Sequence, residues 1–590
     1  MVDAPPPPPA AVAVAQIAQV APVAQIAPVA QVAPMSAPEP IMEAVELTSP
    51  TFTWHTGAEG KFRMPESIGG GVALIDAEGD GDLDLFFAQG GSIVAAGQAG
   101  AAEESRAAPR CALWRNDGDW SFTDISKESG ADIPGYAMGV AAGDLDGDGD
   151  RELVVARLGG VDVLWNESEP VAGDGANVRG TIRFRPEPAR GVAAGTWPSV
   201  VHLADIDRDG DLDLFVGRYL EWTAGAEPPC EGPDGRRDYC SPRSFNAPSA
   251  SSLYRNDGSG SFQHVDGCGI DSLQGTALGA VAADFTSDGR TDLFVANDSL
   301  PNRLWVQQPD GTFRDEAAQR GCAVDLEGRA KAGMGVGCED LDGDGQLDVL
   351  VCNLDGESDS LFIRRGDGFQ DVTARSGLRA TTRRATRFGL LLADFNEDGV
   401  LDLLEACGRV SRDPRATKDQ DPYAQAPILL LGAPGCPICQ RFEARAGALA
   451  NAPQRTGRGS ALGDLDGDGD VDAVIVNRDA PATLLRNLGD GSRGITIEPR
   501  LSSGAPAEGA IVTVRAGGRS WTRLCQSGRS YFAASEPVAR IGLGVSGPGG
   551  GQGTAAIDSI SITWPDGSTT QHDEVAIDAT PGARMKISKP

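Results

Sequence analysis

From about residue 51 to residue 495 the chain repeats one rhythm of apolar and polar positions seven times. A short apolar run (GGGVALI, residues 69–75) gives way to a loop rich in Asp and Gly, and a second apolar run (LDLFFA) follows. The same pair recurs as YAMGVAAG and ELVVAR, SVVHLA and LDLFVG, LGAVAA and TDLFVAN, MGVGCE and LDVLVCN, FGLLLA and LDLLEAC, and SALG and VDAVIVN. Runs this short, bounded by glycine turns, read as strands, so each pair is a hairpin. A third run follows (ALWRN, VLWNE, SLYRN, RLWVQ, SLFIR, ILLLG, TLLRN), and a fourth starts at Phe122, Phe184, Phe262, Phe313, Phe369 and Phe442. Four antiparallel strands repeated radially make a propeller blade. The pattern therefore predicts an all-β chain: a seven-bladed β-propeller over 51–495, with a small β-domain after it.

The seventh loop has no fourth strand downstream. Phe52 lies 24 residues before Asp76, and the other Phe residues lie 21 to 27 before their next loop. The spacing predicts that residues 51–57 supply the outer strand of the last blade and close the ring, leaving no open edge. Residues 496–590 carry no acidic repeat and alternate as strands (AIVTVRAG, SWTRLCQSG, ARIGLG, DSISITW), a separate β-domain. Residues 1–50 are Pro, Ala, Val and Gln with a near-repeat, and read as a disordered or polyproline-like tether. No basic residue precedes Lys61, and Pro and Gln interrupt any apolar core, so no export signal is visible. The stretch reads as the mature start of an exported protein, and no later stretch is apolar enough to span a bilayer.

The loops carry the chemistry. Positions 1, 3, 5 and 9 are Asp76, Glu78, Asp80, Asp84 in the first and Asp144, Asp146, Asp148, Glu152 in the second. They are Asp205, Asp207, Asp209, Asp213 in the third and Asp284, Thr286, Asp288, Asp292 in the fourth. The fifth has Asp340, Asp342, Asp344, Asp348, the sixth Asp394, Asn396, Asp398, Asp402, and the seventh Asp464, Asp466, Asp468, Asp472. Position 6 is glycine in all seven, which permits the sharp bend. Carboxylates this close repel unless a cation sits among them, and six or more hard oxygen donors suit Ca²⁺ better than Mg²⁺. An EF-hand would need a bidentate Glu at position 12 and flanking helices. Position 12 is Phe87, Val155, Val216, Val295, Val351, Glu405 and Ile475, so the sixth loop alone qualifies, and its flanks read as strand. A solvated acidic turn is the bland alternative for any one copy. It explains seven copies in register poorly.

The net charge of −33 argues against nucleic acid and against an anionic membrane as partner. The loops hold 26 of the 84 acidic residues, and seven Ca²⁺ ions would bring −33 to −19. Of the 11 cysteines, Cys230 with Cys240 and Cys436 with Cys439 look like loop staples in an oxidising compartment. A CxxC can also be redox-active or half a zinc site, although no second CxxC is present. Cys338, Cys352 and Cys407 sit in apolar strand patterns as small hydrophobes. In an up-and-down blade the second-to-third connections emerge opposite the acidic loops. The long insertions, roughly 89–111, 217–251 and 406–427, therefore share one face, where binding is usually found. The 217–251 loop carries Tyr219, Trp222, Arg236, Arg237, Tyr239 and Arg243, which suit either a recognition surface or packing of the loop on its scaffold.

Seven loops with GVA before and LDLF after resemble the FG-GAP/VCBS repeats of the integrin α-subunit propeller. That resemblance implies Ca²⁺ bound through positions 1, 3, 5 and 9 and the carbonyl of position 7. The stretches Gly509-Ala-Ile-Val-Thr-Val514, Ser527-Gly-Arg529, Gly542-Leu-Gly544 and Thr563-Trp-Pro-Asp-Gly567 are similar to the ASPIC/UnbV domain. The combination resembles the cartilage acidic protein family. Further matching segments are Pro65-Glu66, Gly69-Gly-Gly71, Tyr239-Cys240, Asn297-Asp298 and Pro301-Asn302. Thr286 and Asn396 depart from the pattern, so 284–292 and 394–402 are expected to be the weakest sites. Glu78 and Glu152 are longer than the usual Asp, and Cys407-Gly-Arg409 replaces a common Asn-Gly-His. The resemblance implies an exported calcium-binding protein that meets extracellular protein or glycan, here through 217–251 and its neighbouring insertions. No catalytic set stands out: His55, His202, His264 and His572 have no metal-ligand spacing. A secreted enzyme acting on polysaccharide or another extracellular polymer, at the propeller face opposite the acidic loops, is the alternative function.

Overall fold

A computed structural model describes residues 39–47, 49–93, 108–169, 180–193, 195–433, 440–489, 491, 493–544, 557–575 and 583–590. The expected Cys436–Cys439 staple and most of the expected tether lie outside the described residues. Among the described residues, the seven acidic-loop repeats form seven successive sheets of four or five strands. In the second, Ala137–Gly143, Glu152–Arg157, Gly160–Asn166 and Phe184–Pro188 pair in sequence order, each antiparallel to the last. Each sheet's first strand packs against the first strand of the next, and the seventh against the first, so the ring closes. We number these sheets blades 1 to 7 after their acidic loops.

Close approach of the inner strands explains a glycine that recurs in the apolar runs. A Cβ on Gly71 would lie 2.4 Å from the Met138 carbonyl, one on Gly279 2.4 Å from that of Met334, and one on Gly459 2.1 Å from that of Gly70. Gly139, Gly335 and Gly389 face the next blade as closely. Blade 3 has Ser199 there, and its hydroxyl donates across the gap to the Ala277 carbonyl at 2.8 Å.

The closing strand is not the expected one. Met42–Val45 pairs antiparallel with Thr483–Asn487 and is the N-terminal strand of blade 7, with Leu449–Ala450 beyond it. This overturns both residues 51–57 as outer strand and a tether reaching to residue 50. Ile41 and Met42 are buried and anchor the strand. Residues 53 and 54 instead make isolated bridges to Pro481 and Arg478. Phe52 stacks on Phe87 with centroids 4.4 Å apart, and Trp54 is fully buried.

The C-terminal residues have their own core but do not stand apart. Gly494–Arg500, Ala539–Gly542 and Arg584–Ser588 form one sheet. Ala510–Ala516, Arg519–Cys525, Ile557–Thr563 and Thr569–Val575 form a second. Ile497, Val512, Ile541, Ile560 and Ile562 pack in one cluster between them. Residues 39–590 nevertheless form one compact unit, a correction to the separate domain expected. The segment 526–536 threads the ring and meets all seven inner strands. Ala533 and Ala534 pair in parallel with Val72 and Ala73 of blade 1. Val140 of blade 2 donates to the Phe532 carbonyl, and Gly528 lies against His202 of blade 3. Gln526 donates to the Ala282 carbonyl of blade 4, and Ser530 exchanges backbone hydrogen bonds with Val336 of blade 5. The Leu390 amide of blade 6 donates to the Ser530 hydroxyl, and the Leu462 amide of blade 7 to that of Ser535. No helix among the described residues is long and apolar enough to cross a membrane.

Candidate functional site

Each acidic loop is folded by its own carboxylates in one pattern. The position 1 acid accepts the amide of the position 6 glycine, from Gly81 to Asp76 at 3.1 Å and from Gly399 to Asp394 at 2.8 Å. The position 5 acid accepts the amide of position 7, as Asp80 does from Asp82 at 3.0 Å. The position 9 acid, on the next strand, reaches back to the amide of position 2, as Asp84 does to Ala77 at 3.2 Å and Asp472 to Leu465 at 2.9 Å. These bonds are charge-assisted and rigidify the turn.

Position 3 is left over. Both carboxylate oxygens of Glu78, and one each of Asp207 and Asp342, are buried without a hydrogen-bond partner, as is one oxygen of Asp76. A buried anionic oxygen with no donor is costly, and a cation is the natural remedy. Carboxylates converge within 4.8 Å in five loops: Asp76, Glu78, Asp80; Asp144, Asp146, Glu152; Asp205, Asp207, Asp209; Asp340, Asp342, Asp344; and Asp464, Asp466, Asp472. Among the described residues the fourth and sixth loops form no such group, and these hold Thr286 and Asn396 at position 3. The donors are all hard oxygens, so the residues fit a hard divalent cation. Arginines partly serve the same electrostatic need: Arg255 meets Asp207, Arg365 meets Asp342 and Asp344, and Arg486 meets Asp466.

Burial, followed by neighbouring acids and backbone donors, sets the proton affinities. Desolvation pushes Asp76, Asp205, Asp340 and Asp394 up to about 6, Asp213 and Asp292 to about 7, and Asp348 to about 8. Glu152 is pushed by the same desolvation to about 9. Desolvation raises Glu78 as well, with repulsion from Asp80 adding to it, and raises Asp84, with repulsion from Glu78 adding to it.

Sequence reasoning missed a second layer. The residue ending the third strand donates its amide to the position 9 acid of its own blade, as Asn116 does to Asp84 and Asn256 to Asp213, both at 2.9 Å. Its side chain donates to the loop of the preceding blade: Asn116 to the Leu465 carbonyl, Asn166 to Ala77, Asn256 to Leu145, Gln307 to Ile206 and Asn487 to Phe395. Each such amide ties two loops together. The signal was the Asn that recurs in the third runs ALWRN, VLWNE, SLYRN and TLLRN. Asn256→Ala would strand the Leu145 carbonyl and free the Gly258 and Gly260 amides that the side chain holds. A loss of ~1–3 kcal/mol is expected, read as a lower denaturation midpoint.

Glu405, the EF-hand candidate, lies in the strand Asp402–Cys407 and faces Arg387 at 3.9 Å, away from its loop. The C-terminal sheets cover the loop face. Gly542 donates to Asp394 at 3.1 Å, Trp521 to the Gly399 carbonyl at 2.9 Å, and Ser503 to Asp144 at 3.4 Å.

On the opposite face a disulfide joins Cys230 and Cys240. The aromatics of the 217–251 loop turn inward. Tyr219 donates to Asp298 at 2.6 Å, Trp222 packs on Trp197, and Tyr239 packs between Phe62 and Tyr423 and donates to Glu66. Arg236, Arg237 and Arg243 are exposed.

Family models match both the repeats and the C-terminal part of the chain. The FG-GAP-like repeat model matches residues 76–155, 233–295, 284–351 and 340–405, and the ASPIC and UnbV model matches 501–586. Cartilage acidic protein 1 of Homo sapiens is 27% identical over 566 residues, covering 90% of this chain and 74% of that protein. The Mus musculus protein of that name is 27% identical over 538 residues, covering 85% and 71%. Among solved structures, the BP39L lectin of Burkholderia pseudomallei aligns with 72% of this chain and 97% of its own, at 12% identity and a TM-score of 0.39. A ring of acid-looped blades threaded by the segment 526–536 thus carries FG-GAP-like repeats and an ASPIC/UnbV domain, and is similar to the cartilage acidic proteins.

Proposed function

We propose that this is an exported protein of the extracellular matrix type, in which Ca²⁺ braces the ring and the insertion face docks extracellular protein or glycan. One observation carries the reading: the position 3 carboxylates Glu78, Asp207 and Asp342 keep buried, unpartnered oxygens in turns whose other acids are already used to fold them. Bound Ca²⁺ meets these oxygens directly, whereas Arg255 and Arg365 reach only the other oxygen of Asp207 and Asp342. The relatives named for cartilage support the extracellular setting. The C-terminal sheets occupy the loop face at the second and sixth loops, and docking falls to the disulfide-stapled 217–251 loop and its neighbours on the other face.

Calorimetric titration of the metal-stripped protein with Ca²⁺ tests it. Five tight equivalents are expected, matching the five converging loops, with 284–292 and 394–402 filling last. Asp342→Asn should remove one tight equivalent. A protein that takes up no Ca²⁺ would sink the calcium part. Matrix-protein and glycan arrays that stay blank with and without Ca²⁺ would sink the docking part.

A further inference from the structure

A cavity of about 570 Å³ opens on the insertion face where connections of blades 3, 4 and 5 meet. It is of the size that small-ligand sites have. Arg243, Arg329, Lys331, Arg379 and Arg383 line it, in a chain whose net charge is −33. Four acids share the wall, so the decisive question is which groups are already used.

The acids are largely spent on backbone amides. Asp325 accepts from Glu327 and Arg329 at 3.0 and 2.8 Å, Asp371 from Thr373 and Leu326 at 2.9 and 3.2 Å, and Glu357 from Ala332 at 3.0 Å. Lys331 is spent as well, on the Ser358 and Asp359 carbonyls and the Ser360 hydroxyl. Two guanidinium groups are not. Arg383 uses its Nε alone, on the Gly356 carbonyl, and Arg379 makes a single 3.4 Å contact to Glu327. The remaining N–H groups of both forks have no acceptor among the described residues. Arg379 keeps 55% of its side chain exposed. Leu326, on the same wall, is 69% exposed, the most exposed large apolar side chain among the described residues.

We infer that this cavity binds an acidic sugar, a hexuronic acid within an oligosaccharide. A single carboxylate takes the paired N–H groups of Arg379 and Arg383, the geometry guanidinium forks favour. The spare lone pairs of Glu327 and Asp371 accept from ring hydroxyls, and Leu326 covers the apolar face of the ring. A densely charged phosphate or sulfate ligand is disfavoured by those four acids and by the chain's negative field. A neutral sugar leaves the forks unpaired. This deepens the docking reading and rests on it for the role of this face.

Titration of the calcium-loaded full chain with a hexuronic-acid trimer, the matching neutral hexose trimer and a phosphopeptide tests it. The uronate trimer should bind at least tenfold tighter than either competitor. Arg379→Gln with Arg383→Gln should weaken it tenfold or more, and Leu326→Asp should weaken it too, with the thermal midpoint unchanged in both. No uronate binding, equal binding of the neutral trimer, preference for the phosphopeptide, or indifference to the arginine variants would each overturn the assignment. Array binding that survives those variants would leave the broader docking reading standing.

Discussion

Stripping divalent cations with EDTA should lower the thermal midpoint by on the order of 10 °C. At a free cation concentration a hundred times the dissociation constant, each site adds ~2.7 kcal/mol to the folded state. The five converging loops add up, and third-strand amides tie four of them, the seventh, first, second and third, in series. The unfolding entropy of ~2 cal/mol/K per residue converts that sum into the midpoint shift. The shift should also grow with pH. Without metal, Asp76, Asp205, Asp213, Asp292, Asp340 and Asp348 bind protons more tightly folded than unfolded. Their contribution is complete below the unfolded carboxylate range and is lost as pH rises through about 6 to 8. The stripped protein should therefore weaken from pH 5 to pH 8, while the calcium-loaded protein should not. A midpoint indifferent to EDTA, or a gap that does not widen with pH, would refute cation bracing.

What the sequence made legible is what short spacing encodes. An Asp at every second position with Gly at position 6 folds its own turn, and the position 9 acid returns on the next strand, so the loops could be read residue by residue. The closing strand was illegible because Met42–Val45 is four residues long and follows a Pro- and Ala-biased run that masks it. Phe52 mimicked a strand start because its buried ring fills a gap beside Phe87. The aromatics of the 217–251 loop were ambiguous because inward and outward tyrosines look alike in a sequence. Their partners, Trp197, Asp298, Phe62 and Tyr423, lie outside that loop. The threading segment carries the Ser527-Gly-Arg529 resemblance but no strand pattern that points to the ring. Its partners are groups of seven strands, most of them main-chain, lying up to several hundred residues away in the chain.

That segment sets the other large expected effect. Tyr531→Ala should cost ~3–5 kcal/mol in denaturant unfolding, as expected when a fully buried aromatic is deleted. Its ring stacks on Phe532 at 3.9 Å and edges Phe388 at 5.0 Å, and Phe388 in turn carries the Arg458 guanidinium at 4.0 Å. Gly528→Ala should do comparable harm, since the added Cβ would lie 2.5 Å from Nδ1 of the buried His202. Both changes loosen the segment, so the Val140, Leu390 and Leu462 amides that donate into it should exchange hydrogen faster. The effect should reach the metal loops, because the same C-terminal residues hold the second and sixth through Ser503, Trp521 and Gly542. Calcium uptake at those two loops should weaken before uptake elsewhere. If the variants keep both the midpoint and the protection of those three amides, the segment merely rests in the ring and does not hold it.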